Sequence, residues 1–177
     1  MHVVLRFASM VGLAGIAAGF APAAASEGPT LLGVSRDWSA YQASTGDGEV
    51  CYALSKPRST EPHDVARDPV YLMISDWPGR HAKGEFEIVP GYPYKLGEPV
   101  MAEIGSVKVD FFSRNDGGSG AAWIQDPSDE DSLRQALRRG STLVITGVSD
   151  RGTRTRDSYS LSGLSAMLDK AHKACGL

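Results

Sequence analysis

Cys51 and Cys175 are the only cysteines among 177 residues, and they lie 124 positions apart. No other feature constrains the fold as strongly, because a bond between them closes most of the chain into one loop. Whether they pair depends on the compartment, since disulfides persist where the environment is oxidising. Residues 1–25 answer that question as a secretory signal: Arg6 precedes an apolar run from Phe7 to Phe20, and Ala23 and Ala25 satisfy the small-x-small rule for cleavage. A membrane anchor is the alternative. The run is shorter than the roughly 20 residues of a spanning helix, and Gly12, Gly15 and Gly19 interrupt it. A periplasmic or secreted chain cleaved after Ala25, with Cys51 bridged to Cys175, is therefore expected. The chain-entropy account assigns a loop of that size about 4–5 kcal/mol of stabilisation. Two buried free thiols are the competing reading, and zinc sites use closely spaced cysteine pairs that are missing here.

Residues 26–177 suit a single domain. Losing Arg6 with the signal moves the formal charge from −3 to −4, which gives no general attraction to nucleic acid or anionic lipid. No second apolar stretch is long enough to span a bilayer.

Short runs broken by glycine and proline point to strands. Trp38-Ser39-Ala40-Tyr41 and Glu49 to Leu54 read as two strands joined across Gly46-Asp47-Gly48. Lys56 to Asp68 lacks any period and reads as a surface loop. Val70 to Ile74 is a continuous apolar run that suits a strand buried on both faces. Strands are further expected around Phe86 and Ile88, over Val100 to Ile104, over Val107 to Phe111, over Ala121 to Ile124 after the loop Gly117 to Gly120, over Thr142 to Thr146, and ending near Tyr159.

Two helices complete the pattern. Ser128 is placed to cap the first, acidic Asp129 to Asp131 suit its start, Leu133 and Leu137 share a face, and Gly140 can end it. The second puts Leu161, Leu164, Met167, Leu168 and Ala171 on one stripe that reaches Cys175. About eight strands with two helices imply a mainly β fold, an antiparallel sandwich or open barrel with helices at its edge.

Catalytic chemistry is poorly supplied. A nucleophilic hydrolase needs a hydroxyl, a base and a group that orients the base, and His63, His81 and His172 are the only imidazoles after the signal. Gly147-Val148-Ser149-Asp150-Arg151 lacks the closing glycine of a nucleophile elbow. An envelope hydrolase using Ser149, or another serine, with His63 or His81 stands as the enzyme alternative. His63-Asp64 and His81 lack metal-ligand spacing, and Asp116 to Gly120 lacks the lysine of a phosphate cradle. No cofactor is implied.

Two segments are candidates for contact with a partner. Arg151, Arg154 and Arg156 set three guanidinium groups in a short stretch that suits an anion or a protein surface, with a charge-solubilised turn as the alternative. In a strand Arg154 and Arg156 share a face. Tyr92 and Tyr94, within Pro90-Gly91-Tyr92-Pro93-Tyr94, form a second candidate surface unless that turn packs inward.

Trp38-Ser39-Ala40-Tyr41, Cys51 to Pro57, Arg67-Asp68-Pro69-Val70-Tyr71, Pro90 to Tyr94, Arg151-Gly152-Thr153 and Asp157 to Gly163, ending at Cys175, occur together and in this order. With them the chain resembles the bacterial invasion-associated locus B family, in its compact single-disulfide branch. The resemblance implies an exported β-rich protein without established catalytic residues, linked in the family's namesakes to host-cell invasion. The expected role is a binding or interaction module for an envelope or host protein.

Overall fold

The computed structural model describes residues 28–177, so the expected signal over residues 1–25 lies outside the described part. Eleven strands form one antiparallel sheet. They are β1 (Thr30–Ser35), β2 (Trp38–Thr45), β3 (Gly48–Ser55), β4 (Ser59–Glu61), β5 (Tyr71–Trp77), β6 (Ala82–Val89), β7 (Val100–Ile104), β8 (Val107–Asp116), β9 (Ser119–Ile124), β10 (Thr142–Val148) and β11 (Arg154–Ser160). Helices α1 (Glu130–Arg139) and α2 (Leu164–Ala174) complete the chain. Their order across the sheet is β1-β2-β3-β5-β6-β9-β8-β7-β10-β11-β4.

The sheet rolls toward closure. The Trp38 indole N–H donates to the Ser160 carbonyl over 2.8 Å, and the Asp37 N–H donates to the Ser162 carbonyl over 3.3 Å. The start of β2 therefore meets the end of β11, although the two strands stand far apart in the sheet order. The result is an open barrel whose inward side chains, among them Trp38, Leu72, Ile88, Phe111, Leu143 and Tyr159, form one core. Burying each large aliphatic side chain there contributes roughly 1.5–3 kcal/mol.

The eleven strands among the described residues exceed the sequence pattern's count of about eight, and the two without a counterpart in that reading are edge strands that carry a weak signal. β1 has no fully buried residue, and β4 is a three-residue strand inside the segment read as a loop, paired to β11 from Arg156–Glu61 to Ser158–Ser59. Edge strands lack a second neighbour to impose alternation. β5 also departs from expectation: Leu72 and Ile74 enter the core while Tyr71 and Met73 stay half-buried on the outside, so only one face is fully covered. It continues past the apolar run through buried Ser75 and Asp76.

Ser128 does not cap α1, whose N-terminus has no side-chain cap; instead Asp126 caps the 3₁₀ turn ahead of it, its carboxylate accepting the Ser128 N–H over 2.9 Å. Pro127 starts a 3₁₀ turn that places Asp126 one turn ahead of the α-helix, where its charge meets free N–H groups. Leu133 and Leu137 are buried as their spacing requires. Helix α2 buries Leu164, Met167 and Ala171 and ends at Cys175, which is bonded to Cys51 on β3. Gly163 begins it at φ 96°, and a Cβ there would lie 2.0 Å from the Ser35 carbonyl oxygen, so only glycine lets the helix start against β1. Among the described residues, no helix is long and apolar enough to cross a membrane.

Candidate functional site

The three arginines divide between two places. Arg151 sits on the turn that joins β10 to β11, held by the Ser149 N–H on the Thr153 carbonyl at 2.9 Å and the Thr153 N–H on Ser149 Oγ at 3.1 Å. It borders a hollow of about 480 Å³ shared with Arg67, Tyr92 and Thr153. Arg154 and Arg156 follow on β11, where alternate residues point outward and both are exposed. They border a different depression, about 450 Å³, together with Glu61, Glu98 and Met101. Arg156 stands opposite Glu61 in the β11–β4 ladder. This surface carries both signs of charge, so it is not a plain anion site.

Beneath it lies a buried polar layer on the inward side of the same strand. Both Nη1 contacts of Arg67 to the Asp157 carboxylate are 2.9 Å, with the two side chains 6% and 4% exposed. The other guanidinium nitrogen donates to the Glu61 carbonyl over 2.8 Å, and the group lies 5.4 Å from the centroid of the Tyr92 ring. The Tyr92 hydroxyl and Thr155 Oγ1 are 2.5 Å apart. Burial raises the Asp157 carboxyl's pKa, and Arg67 pulls against that shift without reversing it. The segment after β4 is thereby fastened to β11, which fixes the backbone that displays Arg154 and Arg156.

Tyr92 is half-buried in this layer and presents only an edge to the hollow beside Arg151. Tyr94 does not belong to any contact surface. It is 2% exposed, its ring meets Tyr92 edge-on at 5.4 Å, and Asn115 clamps its backbone by accepting its N–H and donating to its carbonyl, both at 2.8 Å. Of the two readings of this segment, the inward-packed turn is the one observed at Tyr94, which the candidate aromatic surface therefore loses. Gly91 enables that packing at φ 74°: its carbonyl accepts the Asp68 N–H over 3.0 Å, and a Cβ would lie 2.2 Å from the Asp68 carbonyl oxygen.

The serine and histidines of the hydrolase alternative are not brought together. Ser149 is buried, with its hydroxyl oxygen occupied by the Thr153 N–H. His63 and His81 are exposed, and among the described residues neither is hydrogen-bonded to a serine. The imidazole with a fixed orientation is instead His172 on α2, whose Nδ1 is hydrogen-bonded to the Asp76 carboxylate. Asp76 is buried and also accepts the Gly84 N–H over 2.8 Å. Sequence reasoning ended the strand at Ile74 and passed over this pair. The available signal was a carboxylate two residues past the apolar run and next to Trp77, where continuation of the strand buries it and burial demands a partner.

A family model described as "Invasion associated locus B (IalB) protein" matches residues 38–172. The crystal structure of invasion associated protein b from Bartonella henselae superposes with a TM-score of 0.55 at 17% sequence identity, covering 82% of this chain and 98% of that one. At that identity the likeness is one of fold. No curated protein matches the chain in sequence.

Proposed function

The chain belongs to the invasion-associated locus B family, and from that premise we propose that it is an exported, non-enzymatic binding module that engages a protein of the cell envelope, or of a host cell, through the outer face of β11. One observation carries this reading. Arg154 and Arg156 project together from β11 beside Glu61 and Glu98, on a strand stiffened from behind by the Arg67–Asp157 pair. A mixed-sign surface on a rigid strand favours a protein partner, because alternating charges select a complementary pattern and suppress wrong partners. Arg151, on the neighbouring turn, borders the separate hollow beside Arg67 and Tyr92.

Export rests on the signal read over residues 1–25, and the Cys51–Cys175 disulfide fits an oxidising compartment. The experiment is photo-crosslinking in intact cells, with the reactive residue placed at position 154 or at position 47 on the distant β2–β3 turn. A discrete protein adduct from position 154 alone, lost on replacing Arg156 with Glu, is expected. Identical adduct patterns from both positions would sink the proposal.

A further inference from the structure

Helices α1 and α2 border an opening in the rolled sheet, and a cavity of about 460 Å³ lies there. Its volume falls within the roughly 300–1,000 Å³ typical of small-molecule sites. The wall is apolar, built from Ile74, Phe86, Leu133, Leu137 and Leu164, all core residues, with Ile124 and Leu168 toward the mouth. The rim is charged. Its basic groups are Lys83, Arg134, Arg138 and His172, and its acidic groups are Glu130 and Asp169.

The acidic groups do not cancel the basic ones. Glu130 is within 3.5 Å of Arg134, and His172 is held by Asp76 from outside the cavity lining. Among the described residues, Lys83 and Arg138 join no ion pair, which leaves two cations against Asp169. The histidine adds a polar group at the mouth. With Nδ1 committed to Asp76, Nε2 is left without a protein partner among the described residues, on a ring fixed at the rim of an apolar space. An apolar bore with a cationic mouth and an oriented imidazole matches one class of ligand.

We propose that this cavity binds a single-chain amphiphile with an anionic head. The chain lies among Phe86, Leu133, Leu137 and Leu164, and the head is held by Lys83 and Arg138. This site is separate from the β11 surface and does not depend on the partner read there.

Dodecanoate and dodecyl phosphate are the probes, titrated calorimetrically into the disulfide-bonded exported chain and followed by amide chemical shifts. Expected are saturable one-to-one binding by both, in about the micromolar range, and shift changes centred on Leu133, Leu137 and Leu168. Lys83→Glu with Arg138→Glu, both at exposed positions, weakens dodecanoate by at least about tenfold and strengthens dodecyltrimethylammonium, as opposite-charge attraction requires. Leu168→Trp, which intrudes at the mouth, abolishes binding of all three. Absence of saturable binding, shifts confined to other surfaces, or a wild-type preference for the ammonium amphiphile would each overturn the proposal, whether or not the tryptophan variant folds.

Discussion

Asp76 stands directly opposite Cys51 in the β3–β5 ladder, and each holds the same end of α2: Cys51 through its bond to Cys175, Asp76 through its hydrogen bond to His172. One covalent and one polar tether therefore land on adjacent strands at the same level of the sheet. The disulfide keeps this helix end at the sheet, within reach of Asp76, so the polar tether closes on a position the covalent one already restrains.

That arrangement predicts coupling. Replacing both cysteines with alanine is expected to lower the unfolding free energy by about 2–4 kcal/mol, and His172→Ala, which strands a buried carboxylate, by about 1–3 kcal/mol. Combined, the losses fall short of their sum by more than about 0.5 kcal/mol, because the second change acts on a helix end already released. Urea denaturation of the four proteins measures this. Strict additivity would show that the two tethers act independently.

The Arg67–Asp157 pair makes a second prediction. Both side chains are nearly fully buried, and removing one partner leaves an uncompensated charge that costs about 3–5 kcal/mol. Arg67→Met is therefore expected to be severely destabilising alone. Arg67→Met with Asp157→Leu recovers most of the loss, since well-packed apolar replacements of a buried pair are often neutral. If the double variant is no more stable than the single one, the pair contributes through its contacts to Tyr92 and the Glu61 carbonyl instead.

The β-rich fold was legible because its strands alternate, as Val107 to Phe111 does, and because Leu164, Met167 and Ala171 repeat at helical spacing toward Cys175. β1 and β4 were not, since an edge strand pairs on one side and here buries none of its residues fully. The Arg154 and Arg156 face followed from strand geometry alone. The layer behind it did not, because Arg67 reaches Asp157 across 90 positions and nothing local marks a long-range ion pair. Whether Tyr94 faced outward or packed inward stayed open in the sequence for the same reason: its turn is clamped by Asn115, 21 positions away.

Glu87 on β6 supplies a pH test. Burial raises its carboxyl's pKa, and repulsion from Glu85 adds to the shift. A carboxyl whose pKa is higher folded than unfolded favours the fold while protonated, and loses that contribution as pH rises through the folded value. Glu87→Gln removes the cost of burying the charge. The variant is expected to be more stable than the parent at pH 7, with the difference vanishing near pH 3, where both side chains are neutral. Thermal unfolding across that range decides it, and a difference that grows toward acid would contradict the assigned shift.

The phenols of the core make a last prediction, with opposite signs at two neighbouring positions. The Tyr159 hydroxyl is buried without a hydrogen-bond partner among the described residues, and burial drives its pKa far above the usual phenol value. The Tyr92 hydroxyl, by contrast, is bonded to Thr155. An unmet buried hydroxyl costs free energy that an apolar replacement does not. Tyr159→Phe, which keeps the ring in place, is expected to leave stability unchanged or raise it by up to about 1 kcal/mol. Tyr92→Phe is expected to lower it by about 1 kcal/mol, because it breaks a made bond and weakens the hold on β11. Chemical denaturation of the two single variants reads both signs directly. A loss at Tyr159 as large as that at Tyr92 would mean that its hydroxyl is satisfied, with an ordered water in the barrel interior as the partner of the required size and polarity.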